Sequence, residues 1–170
     1  ALKPLSFDII CSWDVLEHLH DTASAFVSMN KLLKDDGIMI HEYNPFFGLN
    51  GGHSLCTLDM LWGHTQLNDV DFEKYITKFR PEEKEKALSF YRNGLNRMTL
   101  YDIDLQLKKA KFEMVSIIPF VKEQHLRMID HDILFRSQKH YPNVTLLDMA
   151  SPRVYVVARK KQENNSLTDD

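Results

Sequence analysis

Residues 7–40 constrain this chain more than any other stretch. An apolar run, Phe7-Asp8-Ile9-Ile10-Cys11, breaks at the polar turn Ser12-Trp13-Asp14. A helical pattern from Asp21 to Lys34 follows, then Asp35-Asp36-Gly37 and a second apolar run, Ile38-Met39-Ile40. Strand, helix and strand in this order make a βαβ unit, and such a crossover lays its two strands parallel in one sheet. The helix carries its own signals. Asp21 is an N-cap residue type, and Phe26, Met29 and Leu33 recur at i, i+3 and i+7, with Ala25 and Leu32 widening the stripe. Lys31 and Lys34 complement the dipole of its last turn, and Gly37 is expected to supply a left-handed residue before the strand. The fold class is therefore α/β.

Residues 44–68 read as a long irregular segment rich in Asn, Gly, His and aromatics. It leaves the carboxyl end of a parallel strand, the edge where open α/β sheets bind ligands, and a loop of this length is functional or mobile as a rule. Three helical patterns come next: near Val70 to Ile76, from Pro81-Glu82-Glu83, and from the capping-box sequence Thr99-Leu100-Tyr101-Asp102. Lys111 to Ile118 and Arg153 to Arg159 read as further strands, with one helix around Glu123 to Gln138 between them. The tail from Gln162 to Asp170 is polar and is expected to be disordered.

Three local patterns resemble the class I S-adenosylmethionine-dependent methyltransferases. Phe7 to Leu19, with Asp14-Val15-Leu16-Glu17-His18-Leu19, resembles that family's fourth strand and the turn behind it. Leu32-Leu33-Lys34-Asp35-Asp36-Gly37-Ile38-Met39-Ile40 resembles the approach to strand five, and Ala110-Lys111-Phe112 the lead into strand six. The resemblance spans roughly Phe7 to Lys160. It implies a partial Rossmann-like sheet, strands four to seven of the family, with helices on its faces. It implies one incomplete methyltransferase domain over residues 1–161, with S-adenosylmethionine as cofactor.

The family's glycine-rich loop, a strand followed by G-x-G-x-G, is not found in these residues. Gly48, Gly51 and Gly52 come nearest, but they follow the wrong strand at the wrong spacing, and a flexible loop is the better reading of them. About three βα units, on the order of 90 residues at ~30 per unit, are expected to precede Phe7. Without them the Phe7 to Cys11 strand is an apolar, unpaired edge. Such an edge calls for a homo-oligomer or for pairing with the N-terminal half, and this chain alone is expected to be inactive.

Methyl transfer needs an acceptor positioned in line with a sulfonium carbon, and a base where the acceptor holds a tightly bound proton. The resemblance places Ser12, Trp13 and Asp14 beside the cofactor. Trp13 lies against adenine or the sulfonium, or else is a core residue with Asp14 as a cap. His18, of the Glu17-His18 pair, is a catalytic candidate or orders the turn. His53 and His64 are further catalytic candidates, and His41, Tyr43, Asn44 and Trp62 are acceptor-binding candidates. His53, Cys56 and His64 with Glu42 or His41 have zinc-ligand chemistry, but no compact ligand spacing, and no metal site is expected.

A net charge of -3 argues against nucleic acid, no apolar run is long enough for a membrane span, and two cysteines make no disulfide framework. A cytoplasmic location is therefore expected, and the resemblance implies methyl transfer to an O or N atom of a small molecule, which the acidic charge and the His-containing aromatic loop favour over RNA. The alternative is a non-catalytic methyltransferase-like module that binds a partner along its open edge.

Overall fold

The computed structural model describes residues 2–162. Strands β1 (Phe7–Trp13), β2 (Leu33–Tyr43), β3 (Phe112–Pro119) and β4 (Val154–Lys160) form one sheet in the order β1-β2-β4-β3. β1 and β2 are parallel and are joined through helix α1 (Thr22–Leu32), which is the expected βαβ unit. Asp21 caps that helix by accepting the Ser24 N–H at 2.9 Å. Its apolar stripe buries Phe26 completely, which contributes about 2 kcal/mol.

The link from α1 to β2 differs from the expected glycine turn. β2 begins at Leu33, directly behind the helix, and no described glycine has a positive φ. The register pairs Phe7 with Leu33 and then Ile9 with Ile38, so residues 34–37 bulge out of the ladder. Gly37 is needed for closeness instead: a Cβ there would lie 2.8 Å from Leu33 Cγ and 3.0 Å from the Asp8 carbonyl oxygen.

β4 runs antiparallel to both β2 and β3, and Val154 is the partner of both Tyr43 and Pro119. The carboxyl ends of β2 and β3 therefore meet the start of β4 at one edge of the sheet. Met39, Tyr43, Val154, Val156 and Ala158 line one face and pack against Phe26 of α1 and against Ile103 and Leu107. The opposite face carries Ile9, Cys11 and Trp13, all exposed, beside the half-buried Ile38 and Ile40.

Residues 44–68 are not a flexible loop. They hold two single-turn helices, α2 (His53–Cys56) and α3 (Gly63–Gln66). Phe46, Phe47, Cys56 and Trp62 build a second core with α4 (Asp69–Phe79) and α5 (Lys84–Asn93), through Phe72, Ile76, Ala87 and Tyr91. The glycines serve this packing. A Cβ on Gly51 would stand 2.2 Å from the Phe46 carbonyl oxygen, and one on Gly52 2.7 Å from the Cys56 carbonyl carbon. Arg97 holds this strap of residues 44–68, its guanidinium 4.5 Å from the Phe46 ring centre and 4.9 Å from that of Tyr91.

α6 (Leu100–Lys109) opens with the capping box of Thr99 and Asp102, both halves formed. The one helix expected over 123–138 is two, α7 (Glu123–Met128) and α8 (His131–His140), because Asp130 restarts the helix by accepting the Ile133 N–H at 2.8 Å. A short α9 (Leu146–Ala150), unforeseen in the sequence, has a second capping box from Thr145 and Asp148. Beyond Gln162 the tail lies outside the described residues. Among the described residues no helix is long and apolar enough to cross a membrane.

Candidate functional site

The parallel pairing of β1 and β2 brings their carboxyl ends side by side, and the polar residues just past those ends assemble there. Asp14 follows β1 with φ 54°, the left-handed region, and its N–H donates to the Glu42 carbonyl at 3.0 Å. Asn44, the first residue past β2, donates through Nδ2 to Asp14 Oδ1 at 2.6 Å. The Asn44 N–H in turn reaches Glu17 Oε1 at 3.3 Å. A non-glycine residue held left-handed is a costly conformation that the surrounding contacts must enforce.

Glu17 lies in the 3-10 turn Leu16–His18 and is only 1% exposed, with Oε2 lacking any hydrogen-bond partner. Burial raises its carboxyl pKa above the usual carboxylate range, against the weaker pull of nearby backbone N–H groups. His18 donates from Nδ1 to the Gly94 carbonyl at 2.6 Å. His53, also left-handed at φ 52°, sets its ring centre 5.2 Å from that of His18. Burial chiefly, and His18 in addition, lower the His53 pKa below its ordinary value, while Asp14 pulls the other way.

A cleft of about 530 Å³ opens along the same edge. Polar Asn44, Asn50, His53, Lys122 and Arg153 line it together with Phe120, Val121 and Pro152. Arg153 is held by Glu42, Nε to Oε1 at 2.9 Å. The arrangement combines a neutral imidazole, amide donors and two cations, a set able to bind a polar or anionic small molecule and accept a proton from it.

The residues singled out in the sequence divide into two groups. Asp14, His18, Asn44 and His53 gather at the site, and Trp13 stands beside it, 56% exposed. The others turn inward. Ser12 Oγ is 2.7 Å from His41 Nδ1, and His41 is buried against Phe26, where burial lowers its pKa to about 4. The Tyr43 hydroxyl is buried without a partner. Trp62 donates from Nε1 to the Phe47 carbonyl at 3.0 Å. His64 is fully buried, donates from Nε2 to the Phe46 carbonyl at 2.8 Å, and is also pushed down to about 4. The side chains of His41, Tyr43, Trp62 and His64, expected to bind the acceptor or to act in catalysis, thus lie buried away from the cleft. The apolar sequence around Phe46 draws the His64 and Trp62 rings under the strap. Lys122 and Arg153 were missed, since nothing local marks a cation beginning α7 or β4 as a cleft residue.

A family model described as a methyltransferase domain matches residues 3–117, more than half of the chain. The chain belongs to the methyltransferase domain family. No curated protein is significantly similar to it in sequence. Among solved structures, it is similar to a candidate S-adenosylmethionine-dependent methyltransferase from Listeria monocytogenes, with TM-score 0.53 and 14% identity over 96% of this chain and 65% of that one. An S-adenosylmethionine-dependent methyltransferase from Mesorhizobium loti gives TM-score 0.50 and 12% identity, covering 94% of this chain and 64% of its own. Phosphoethanolamine N-methyltransferase 2 of Haemonchus contortus, in complex with S-adenosyl-L-methionine, gives TM-score 0.49 and 18% identity, covering 95% and 35%. The methyltransferase domain described here thus spans about a third to two thirds of these structures' length. At such identities the likeness to the Listeria and Mesorhizobium structures is one of fold.

Proposed function

We propose that this chain is the acceptor-facing part of an S-adenosylmethionine-dependent methyltransferase that modifies an O or N atom of a small molecule. The observation that carries the reading is the cleft at the carboxyl edge of β2 and β3, which shares His53 and Asn44 with the Asp14 end of β1.

The residues fit one end of the cofactor. S-adenosylmethionine supplies an electrophilic methyl group on a sulfonium, so the protein's task is to place an acceptor against it and keep water out. Trp13 offers an exposed aromatic face and Asp14 a carboxylate, and both suit a cation. Ser12, committed to His41, acts on the cofactor only through its backbone. Nothing among the described residues matches the glycine-rich cradle for the cofactor's amino acid end. The exposed β1 edge and the open face of Ile9, Cys11 and Trp13 are where a further strand and its helices would dock. On this reading residues 1–161 are one incomplete domain, and the chain alone does not turn over.

Asn44 positions Asp14 and is itself positioned by Glu17, so the turn after β1 and the strap after β2 move as one body. His53, kept neutral by burial, is the group able to take the acceptor's proton. Lys122 and Arg153 orient an anionic part of the acceptor. The test is methyl transfer from labelled S-adenosylmethionine to a panel of acidic and amine acceptors by the longest product of the gene, with His53→Asn as the comparison. Loss of turnover with unchanged cofactor binding supports the base role, and full activity of the variant refutes it.

One observation favours a second reading. An edge strand exposing Phe7, Ile9 and Trp13 is also a surface on which a non-catalytic module would take a partner strand. Failure of any longer product of the gene to bind S-adenosylhomocysteine would select it.

A further inference from the structure

We infer that Glu17, His18 and His53 bind a divalent transition-metal cation of the zinc class beside the cleft. The fold brings one donor atom from each of the three within 4.8 Å of the others, joining a turn after β1 to the start of α2. Around a tetrahedral zinc the same atoms would be about 3.4 Å apart, from zinc–nitrogen bonds near 2.05 Å. Small side-chain shifts that keep the His18 Nδ1 bond to the Gly94 carbonyl make up the difference.

Three details favour a cation over a fortuitous cluster. Glu17 Oε2 is buried without a hydrogen-bond partner, although a buried carboxylate oxygen is normally paired. His53 Nε2 is likewise buried and unpartnered. His18 donates its Nδ1 proton to the Gly94 carbonyl, which leaves Nε2 as the ligating nitrogen and fixes the ring as outer-shell carbonyls commonly do for metal-bound histidine. Two imidazoles and one carboxylate are a zinc-type donor set that leaves coordination positions for water or a ligand oxygen. The first two ligands are adjacent in sequence and the third is far off, so ligand spacing gives no sign of the site. The inference does not rest on the methyl-transfer reading: a His53 that ligates the cation through Nε2 is no longer a free base at that nitrogen, so the base role belongs to the metal-free chain.

The test is a calorimetric titration of the metal-free 170-residue chain with zinc chloride, alongside Glu17→Gln and His53→Asn. Glutamine keeps the acceptor for the Asn44 N–H, and asparagine tolerates the left-handed backbone at residue 53. The expected result is one zinc per wild-type chain, with each variant weakened at least tenfold and with an unchanged circular dichroism spectrum. No stoichiometric binding by the wild type, or equal binding by both variants, overturns the proposal. Should a variant fail to fold, cobalt(II) substitution of the wild type decides. Visible bands of nitrogen–oxygen ligation support the site, and a thiolate charge-transfer band would move the metal to a cysteine and sink it.

Discussion

Asn44 Nδ2 donates to Asp14 Oδ1 across 2.6 Å, and this bond, beside the Asp14 N–H bond to the Glu42 carbonyl, ties the end of β2 to the left-handed residue that follows β1. Removing it frees the turn carrying the cofactor-side candidates. We expect Asn44→Ala to lower stability by about 1 kcal/mol, read as a smaller urea midpoint with an unchanged slope. A midpoint equal to wild type would mean that the clamp holds nothing.

The glycines of the strap offer a sharper contrast. A Cβ at Gly51 would meet backbone at 2.2 Å, whereas the nearest contact at Gly48 is 3.2 Å. Gly51→Ala is expected to cost at least about 2 kcal/mol, and Gly48→Ala less than about 1 kcal/mol. Equal midpoints for the two variants in thermal or urea melts would show that the strap is looser than its packing implies.

Stability should fall with acid through two buried histidines. His41 and His64 have their pKa values lowered from 6.5 to about 4, so between those values the unfolded chain binds protons that the folded chain does not. Their contribution is complete above pH 6.5 and is lost as pH drops toward 4. By about pH 5 the loss is on the order of 2 kcal/mol for each. Glu17, whose pKa is raised, acts in the opposite sense, gaining as the solution acidifies. Urea midpoints at neutral and mildly acidic pH check this, and His64→Gln should remove about half of the difference. Identical midpoints at the two pH values would exclude buried neutral histidines as its source.

The open β1 edge has a solution consequence. With Ile9 and Trp13 exposed beside unpaired backbone, the chain is expected to self-associate at high concentration. Ile9→Lys should restore a single monomeric boundary in sedimentation velocity. Concentration-independent sedimentation of the wild type would count against an available edge.

What was legible in the sequence was local. Asp21 and the Thr99–Asp102 pair cap helices where their side chains and spacing said they would, because a cap involves only three or four neighbouring residues. The βαβ unit was legible because period and punctuation agreed. Gly37 was misread since its need comes from Asp8 on the neighbouring strand, which no local rule reveals. His53 and His64 look alike in a loop sequence, yet one lines the cleft and the other bonds to the Phe46 carbonyl in the core. That difference arises from how residues 44–68 pack on α4 and α5. Arg153 and Lys122 reach the cleft only because β4 runs antiparallel between β2 and β3.

The most direct measurement is calorimetric titration with S-adenosylhomocysteine of this 170-residue chain and of the longest product of its gene. The account expects binding by the longer product alone, weakened about tenfold by Trp13→Ala, as the loss of a ~1.4 kcal/mol aromatic contact would give. Absence of binding by the longer product would contradict it.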